Sequence, residues 1–189
     1  MTGKAGDRAA VIAPGQAYSA DGPLLMYAAL AVERCGGLAR RITWAVPEFA
    51  SAGEERAWVI SQVSMAVDAL QPTTGTPVVI GKSLGSLAAP LAASRDLPTV
   101  WLTPVLTDEP TLTALRHGTA PCLLVGGTAD PLWDGRLARS VTPHVLEVEG
   151  ADHGMFVPGP LAASAAVLGR VATAVEDFLD HHVWPRSSR

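Results

Sequence analysis

The chain has 189 residues, of which 48% are hydrophobic and 17% charged, and this balance excludes a disordered protein. The formal charge of −4 gives no electrostatic reason to bind nucleic acid or an anionic membrane. The length predicts a single domain, residues 1–189, and the apolar content favours a sheet that is buried on both faces.

Strand-like and helix-like segments alternate along the whole chain. In chain order the pattern predicts strand 9–13, helix 24–35, strand 38–46, helix 54–70, strand 77–80, helix 84–93, strand 99–103, helix 111–116, strand 121–125, helix 132–140, strand 144–148 and helix 161–180. Six strands joined by helices predict a doubly wound α/β fold, with a mostly parallel six-stranded sheet and helices on both faces.

The ends of the first helix carry recognisable signals. Asp21 is the expected N-cap, and Gly36-Gly37 is the expected stop. In the last helix, apolar residues at alternating four- and three-residue steps predict the stripe that docks on the sheet: Leu161, Ala165, Leu168, Ala172, Val175 and Leu179. We expect the polar tail, residues 181–189, to be frayed.

No apolar run approaches the roughly 18–20 residues that a membrane-spanning helix needs. The N-terminal segment also lacks the apolar core of a secretion signal, so we expect a cytoplasmic protein. Cys35 and Cys122 have neither CxxC nor metal-ligand spacing, and we interpret both as small core residues.

One five-residue turn separates the third predicted strand from the helix after it: Gly81-Lys82-Ser83-Leu84-Gly85. This G-x-S-x-G pattern holds a serine at the tip of a sharp strand-to-helix turn, where glycine two positions to either side avoids a Cβ clash. A serine hydroxyl is a poor nucleophile and needs a base beside it. Serine is also a common helix N-cap, so the motif alone leaves two roles open for Ser83.

Two later loops supply candidate partners for Ser83. Asp130 follows strand 121–125, and His153 follows strand 144–148. A serine, then an acid, then a histidine, each in a loop after a strand, is the chain order of one serine-hydrolase architecture. Asp134 and Asp152 are alternative acids. Asp134 suits a helix N-cap, however, and Asp152 adjoins His153 and would struggle to reach the ring of its neighbour.

On these three loops the chain resembles the α/β-hydrolase superfamily, and more closely its small lidless members akin to dienelactone hydrolases and compact carboxylesterases. The resemblance covers nearly the whole chain, and it implies Ser83 as nucleophile, His153 as base and Asp130 as the acid that orients the base. It also implies a minimal core. Strand 9–13 matches the third strand of the family, without the usual N-terminal hairpin, and residues 103–111 leave no room for a lid domain.

The resemblance further implies two backbone N–H groups that bind an oxyanion. One is the N–H of Leu84, at the start of the helix after Ser83. The second comes from the loop after the first strand. Relatives often have His-Gly-x there, and this chain has Pro14-Gly15-Gln16, so Gln16 takes the x position. Proline removes a side chain but leaves the Gln16 amide in place.

Three residues near these loops are candidates for lining a substrate pocket. Tyr18 lies in the loop after the first strand, Trp133 stands three positions after Asp130, and Met155 stands two after His153. Core packing is the alternative role for Trp133 and Met155, and bracing of its own loop is the alternative for Tyr18.

The letters Gly81-Lys82-Ser83 also resemble the end of the phosphate-binding P-loop, G-x-x-x-x-G-K-[ST]. The upstream glycine is Gly75, however, and five residues separate it from Gly81 instead of four. Those residues are predicted strand rather than a loop that could wrap phosphates, so we set this interpretation aside.

Together these features predict a serine hydrolase that cleaves a carboxylic ester or thioester of a small to medium substrate through an acyl-enzyme, with no cofactor and no metal. The same site could instead run acyl transfer or lactonisation, it could cleave peptides, or the fold could be a non-catalytic interaction module. We expect a small-molecule acyl substrate as partner, and neither nucleic acid nor membrane. The sequence is compatible with a monomer or a homodimer, and a partner subunit could roof an otherwise open site.

Overall fold

The computed structural model describes residues 8–70 and 75–185. Within these residues the strands are β1 (Ala9–Ala13), β2 (Leu38–Arg41), β3 (Val78–Lys82), β4 (Thr99–Leu102), β5 (Cys122–Gly127) and β6 (Val145–Val148). The α-helices are α1 (Pro23–Arg34), α2 (Ala52–Asp68), α3 (Ala89–Ser94), α4 (Glu109–His117), α5 (Gly135–Val141) and α6 (Leu161–Phe178). A 3₁₀ helix (Ser83–Ala88) follows β3, and a π-helical turn (Leu179–Val183) follows α6.

The strands form one parallel sheet in the order β2-β1-β3-β4-β5-β6, which confirms the predicted doubly wound α/β fold. The path of the chain through the sheet reverses between β1 and β3, because β2 lies on one side of β1 and the later strands lie on the other. At such a switch point the loops after the two central strands diverge and open a crevice at the carboxyl ends of the strands. The loops after β1, β3, β5 and β6 therefore share one edge of the sheet.

Two apolar layers cover the sheet. Alternate strand residues point to opposite faces, so Ile12 and Ile80 pack with α1 and α6, whereas Val11, Val79 and Trp101 pack with α2 to α5. All five side chains are fully buried. Burial on both faces explains why the strands read as continuous apolar runs in the sequence. No helix within residues 8–70 and 75–185 is long and apolar enough to cross a lipid bilayer.

The start of α1 differs from the prediction. Its N-cap is Gly22 rather than Asp21, and no side chain caps it in the usual way. The N–H of Leu24 donates instead to the hydroxyl of Tyr18 at 2.8 Å. A tyrosine in the preceding loop thus satisfies a backbone group at the helix end that the Asp21 carboxylate was expected to satisfy.

Two further boundaries were predicted wrongly. Strand β2 ends at Arg41 rather than at residue 46, because its partner β1 ends at Ala13 and offers no further backbone groups to pair with. The helix predicted over 84–93 is divided into the 3₁₀ helix and α3. Pro90 lies in the first turn of α3, where its missing N–H is tolerated, whereas one continuous α-helix would lose a bond there.

The buried face of α6 also differs from the predicted stripe. Of the predicted stripe, Val175 and Leu179 are buried, whereas Leu161 is 76% exposed and Ala165 is also exposed. The buried residues within α6 are Ser164, Val167, Val171, Val175 and Phe178. The first two turns of α6 are apolar or small around the whole circumference, so their periodicity does not select a face. The start of the tail is not frayed, since residues 181–183 form part of the π-helical turn and Trp184 is buried. Residues 186–189 lie outside the described residues.

Candidate active site

The turn between β3 and the 3₁₀ helix presents Ser83. Ser83 has a φ of +50°, a left-handed conformation that residues other than glycine rarely adopt. The turn closes against the end of β1, where a β-carbon on Gly85 would lie 2.6 Å from the carbonyl oxygen of Ala13. On the other side, a β-carbon on Gly81 would lie 2.6 Å from the indole ring of Trp101. Both glycines of the motif therefore have steric roles, and backbone strain of this kind is concentrated at functional sites.

The imidazole of His153 lies between Ser83 and Asp130. Its Nε2 is 2.8 Å from the Ser83 Oγ, and its Nδ1 is 2.7 Å from the Asp130 Oδ2. In the neutral ring this arrangement assigns the proton to Nδ1, which donates to the carboxylate, so that Nε2 accepts from the hydroxyl. The arrangement can take the Ser83 proton at Nε2 while Asp130 stabilises the imidazolium that results.

The Asp130 carboxylate is held in a fixed orientation. Its side chain is fully buried, and its second oxygen, Oδ1, accepts the N–H of Leu132 at 2.9 Å. The adjacent Ala129 N–H donates to the carbonyl of Ala151 at 3.0 Å, which ties this loop to the loop that carries His153. Because both carboxylate oxygens are engaged, the group is oriented before any substrate arrives.

The two alternative acids have other partners. Asp134 is the N-cap of α5, and backbone N–H groups of that turn, Leu137 above all, hold the pKa of its carboxyl below the ordinary value. Asp152 accepts two backbone N–H groups of its own loop. Of the three candidate acids, only Asp130 is hydrogen-bonded to the His153 ring.

A cavity of about 330 Å³ opens beside Ser83. The two predicted oxyanion residues, Leu84 and Gln16, line it together with Ser83. Leu84 is in the first turn of the 3₁₀ helix, where an N–H has no intrahelical acceptor, and the Gln16 N–H has no acceptor among the described residues. Neither N–H group is therefore committed to an acceptor in the part of the chain that the structure describes. The other lining residues are Ala52, Glu55, Leu87, Val105, Thr107, Asp108 and Leu132.

The three candidate pocket residues do not line this cavity. Tyr18 and Met155 instead line a separate cavity of about 280 Å³ between α1 and α6, whose other walls are mainly apolar. Trp133 packs against Gly126, and its indole N–H donates to Glu147 at 2.8 Å. The structure thus places Tyr18 and Met155 in a second cavity that shares no lining residue with the cavity at Ser83, and it places Trp133 in packing.

The sequence analysis missed two side chains that brace the site. The hydroxyl of Ser86 donates to the Ser83 carbonyl at 2.6 Å and accepts the N–H of Val105 at 3.0 Å. The indole N–H of Trp44 donates to the carbonyl of Gly15 at 3.2 Å. The three-residue spacing of the two serines in a helical turn is a signal that could have indicated the first contact. No local signal indicates the second, because Trp44 follows a different strand.

Lys82 brings a buried positive charge to the end of β3. Its side chain is 3% exposed, and its Nζ lies 4.8 Å from the centroid of the Tyr18 ring. Burial lowers the pKa of the Lys82 ammonium to about 8, against the opposing effect of the negative charges of Asp130 and Asp152. Burial also raises the pKa of the Tyr18 hydroxyl. The described residues contain no group of three or more His, Cys, Asp or Glu side chains that could hold a metal ion.

Comparison with solved structures finds the same architecture in proteins of low sequence identity. A protein from Xanthomonas campestris assigned to the α/β hydrolase superfamily matches with a TM-score of 0.70 at 21% identity, over 92% of this chain and 98% of its own. Est1E from Butyrivibrio proteoclasticus matches with a TM-score of 0.74 at 13% identity, over 94% and 89%. A lidless α/β serine hydrolase, also from Xanthomonas campestris, matches with a TM-score of 0.61 at 16% identity, over 97% and 85%. No family model and no curated protein matches the sequence.

Proposed function

We propose that this chain, which has the α/β-hydrolase fold, is a serine hydrolase that cleaves a carboxylic ester or thioester of a small to medium substrate. The observation that carries the proposal is the position of the His153 imidazole, 2.8 Å from the Ser83 hydroxyl and 2.7 Å from the Asp130 carboxylate. A nucleophile within reach of a base, and a base oriented by a third group, is the arrangement that acyl transfer to serine requires.

In the first step the Ser83 Oγ attacks the acyl carbon while its proton moves to Nε2 of His153. The carbonyl electron pair moves onto oxygen, and the N–H groups of Leu84 and Gln16 stabilise this oxyanion. His153 then gives its proton to the alcohol or thiol, whose bond to the acyl carbon breaks, and an acyl ester remains on Ser83. Asp130 stabilises the imidazolium throughout.

In the second step a water molecule loses a proton to His153 and attacks the acyl carbon. The oxyanion forms again, the carbon–Oγ bond breaks, and the proton returns to Ser83 as the carboxylic acid leaves. The protein itself supplies nucleophile, base and oxyanion donors, so the reaction as written calls for no cofactor.

The similar structures support an ester substrate. Est1E has been solved with ferulic acid bound, and another similar structure is a monoacylglycerol lipase from Paleococcus ferrophilus. Both names point to carboxylic acids or their esters. The cavity beside Ser83, of about 330 Å³, lies at the low end of the range of roughly 300–1,000 Å³ for ligand pockets, which favours a small substrate.

A fluorophosphonate probe, which phosphonylates an activated serine, tests the proposal. We expect intact-protein mass spectrometry to find one adduct, which peptide mapping assigns to Ser83. Ser83→Ala should abolish the adduct. Ser140→Ala should leave it unchanged, because Ser140 is an exposed serine whose hydroxyl only bonds a carbonyl of its own helix. A wild-type protein without any adduct would contradict the proposal and favour a non-catalytic interaction module.

A panel of p-nitrophenyl esters of increasing acyl length then measures turnover. Free carboxylic acid as the second product supports hydrolysis. An acyl group carried over to an added alcohol, with little free acid, would favour acyl transfer at the same serine.

A further inference from the structure

The proposed mechanism leaves the buried charge of Lys82 without a role. Lys82 ends β3, and strand alternation points its side chain to the face that Val78 and Ile80 share with α1 and α6. The side chain is 3% exposed, and it forms no ion pair with any residue in the described parts of the chain. A lysine is seldom buried to this degree unless another group stabilises its charge.

The aromatic ring of Tyr18 provides such a group. The Nζ of Lys82 lies 4.8 Å from the ring centroid, within the range of a cation–π contact. The ring itself is held from other sides. Its hydroxyl accepts the N–H of Leu24 at 2.8 Å, and a β-carbon on Gly22 would collide with its edge. Tyr18 is therefore fixed to the start of α1, and the ammonium group rests on a fixed surface.

Tyr18 belongs to the loop that carries the second oxyanion donor. Its carbonyl accepts the N–H of Gly15 at 2.9 Å, which closes a turn around Gln16. The same loop touches the nucleophile turn, since a β-carbon on Gly15 would lie 3.6 Å both from the Lys82 carbonyl oxygen and from the Ser83 Cβ. Lys82 thus precedes the nucleophile along the chain and contacts the loop of the second donor in space.

We propose that Lys82 is a positioning residue whose ammonium group, seated on the Tyr18 ring, fixes the Gln16 loop against the Ser83 turn so that both oxyanion donors serve one site. The inference rests on the proposed hydrolase function. The inference assigns a role to Lys82 at the first x of G-x-S-x-G, a position at which the motif specifies no particular residue.

The charges around Lys82 make this role dependent on pH. The ammonium group lies over the ring of Tyr18, in the loop after β1, and it feels the negative charges of Asp130, in the loop after β5, and of Asp152, in the loop after β6. Burial lowers the pKa of Lys82 to about 8, while Asp130 and Asp152 act to raise it. The cation is present below that pH and lost above it, so we expect kcat to fall as pH rises through about 8.

The same pKa shift separates positioning from a merely structural role. A lysine whose pKa is lower in the folded than in the unfolded chain costs stability while it is protonated, and this cost is relieved as pH rises. Lys82→Met should therefore leave the thermal midpoint at neutral pH unchanged or higher, even though it lowers activity.

The test measures kcat, KM and the thermal midpoint with p-nitrophenyl acetate from about pH 6.5 to about pH 9.5. Lys82→Met should lower kcat about five- to tenfold, with KM changed less than about twofold. It should also remove the alkaline fall, which is the decrease in kcat as pH rises through about 8. Tyr18→Phe keeps the ring and should keep the alkaline fall. Tyr18→Leu should remove it, and Lys82→Met should have no further effect in that background. Wild-type kcat and an unchanged alkaline fall in Lys82→Met, or independent losses in the two single variants, would overturn the proposal.

A second readout does not depend on turnover. The ¹³C-labelled methyl group of Ala17, between Gln16 and Tyr18, should change its chemical shift near pH 8 in the wild type and lose this titration in Tyr18→Leu. A pH-dependent shift of Ala17 that persists in Tyr18→Leu would come from the electric field of the Lys82 charge itself and not from contact through the Tyr18 ring. That result would overturn the positioning role. If the Ala17 shift titrates as expected but no fluorophosphonate adduct forms on Ser83, the result supports the contact between Lys82 and the Gln16 loop and contradicts the hydrolase function.

Discussion

The side-chain hydroxyl of Ser86 donates a 2.6 Å hydrogen bond to the main-chain carbonyl of Ser83. The same hydroxyl accepts the N–H of Val105 at 3.0 Å, so one buried group satisfies two backbone groups beside the nucleophile turn. The left-handed conformation of Ser83 is therefore supported both from within its own helical turn and from the loop after β4.

Ser86→Ala should destabilise the protein by about 1–3 kcal/mol, because it leaves the Val105 N–H without its acceptor. Urea unfolding measures the loss, and fluorophosphonate labelling of Ser83 should also slow. Ser94→Ala is the matched control. The hydroxyl of Ser94 likewise bonds a carbonyl three residues earlier, but Ser94 is exposed, so its loss should cost less than about 0.5 kcal/mol. Equal losses in the two variants would show that Ser86 has no special task.

Gly127→Ala should separate the two loops that carry Asp130 and His153. A β-carbon on Gly127 would collide with the carbonyl of Ala151, so the variant must move one loop away from the other. We expect a stability loss of about 1–3 kcal/mol and a fall in kcat of at least about tenfold. Thermal unfolding and ester turnover measure the two effects.

Gly169→Ala is the control for this prediction. Gly169 lies on the exposed side of α6 with open space at its β-carbon position, so alanine should stabilise the helix by up to about 1 kcal/mol. A Gly127→Ala protein with wild-type stability and turnover would contradict the close contact between the loops.

The site could be predicted from the sequence to the extent that it follows from strand order. Ser83, Asp130 and His153 each lie in the turn or loop after a strand, and parallel strands bring their carboxyl ends to one edge of the sheet. That inference needs no knowledge of side-chain packing. The requirement for Gly81 and Gly85 could also be anticipated from the motif, although the groups that exclude a β-carbon there, the Trp101 ring and the Ala13 carbonyl, are known only from the fold.

What escaped prediction depends on contacts between distant segments. The Tyr18 hydroxyl replaces the expected Asp21 cap only because the ring folds back over the start of α1. The buried face of α6 could not be chosen, since alanine and leucine surround its first turns and Leu161 is exposed. The contact between Lys82 and Tyr18 could not be predicted either, because the end of β3 and the loop after β1 meet only in the folded chain.

Asp130→Asn should lower kcat roughly 10⁴-fold while leaving KM nearly unchanged, because an amide can stabilise the wrong His153 tautomer and cannot stabilise the imidazolium. Asp134→Asn is the comparison that decides between the candidate acids. It removes the charge of the α5 N-cap but keeps a capping oxygen, so turnover should stay within about twofold of wild type. A large loss of kcat in Asp134→Asn, with normal turnover in Asp130→Asn, would reverse the assignment.

The cavity beside Ser83 should discriminate against anionic acyl groups. Glu55 and Asp108 line it, and no lysine or arginine is among the lining residues that the structure describes. The Asp108 carboxylate is compensated by Arg56 at 2.9 Å, whereas Glu55 has no ion pair within the described residues. We expect kcat/KM for p-nitrophenyl butyrate to exceed that for the anionic p-nitrophenyl hemisuccinate by about three- to tenfold beyond their ratio in uncatalysed hydrolysis.

Glu55→Gln should reduce this preference and raise kcat/KM for the anionic ester more than for the neutral one, because the substitution removes charge at nearly constant volume. Glu54→Gln should leave the preference unchanged, since the neighbouring Glu54 is exposed and its carboxylate accepts the N–H of Ala50. Added salt should weaken the preference of the wild type, because mobile ions screen a charge at an open cavity. A preference that survives in Glu55→Gln would assign the selectivity to the shape of the cavity instead of its charge.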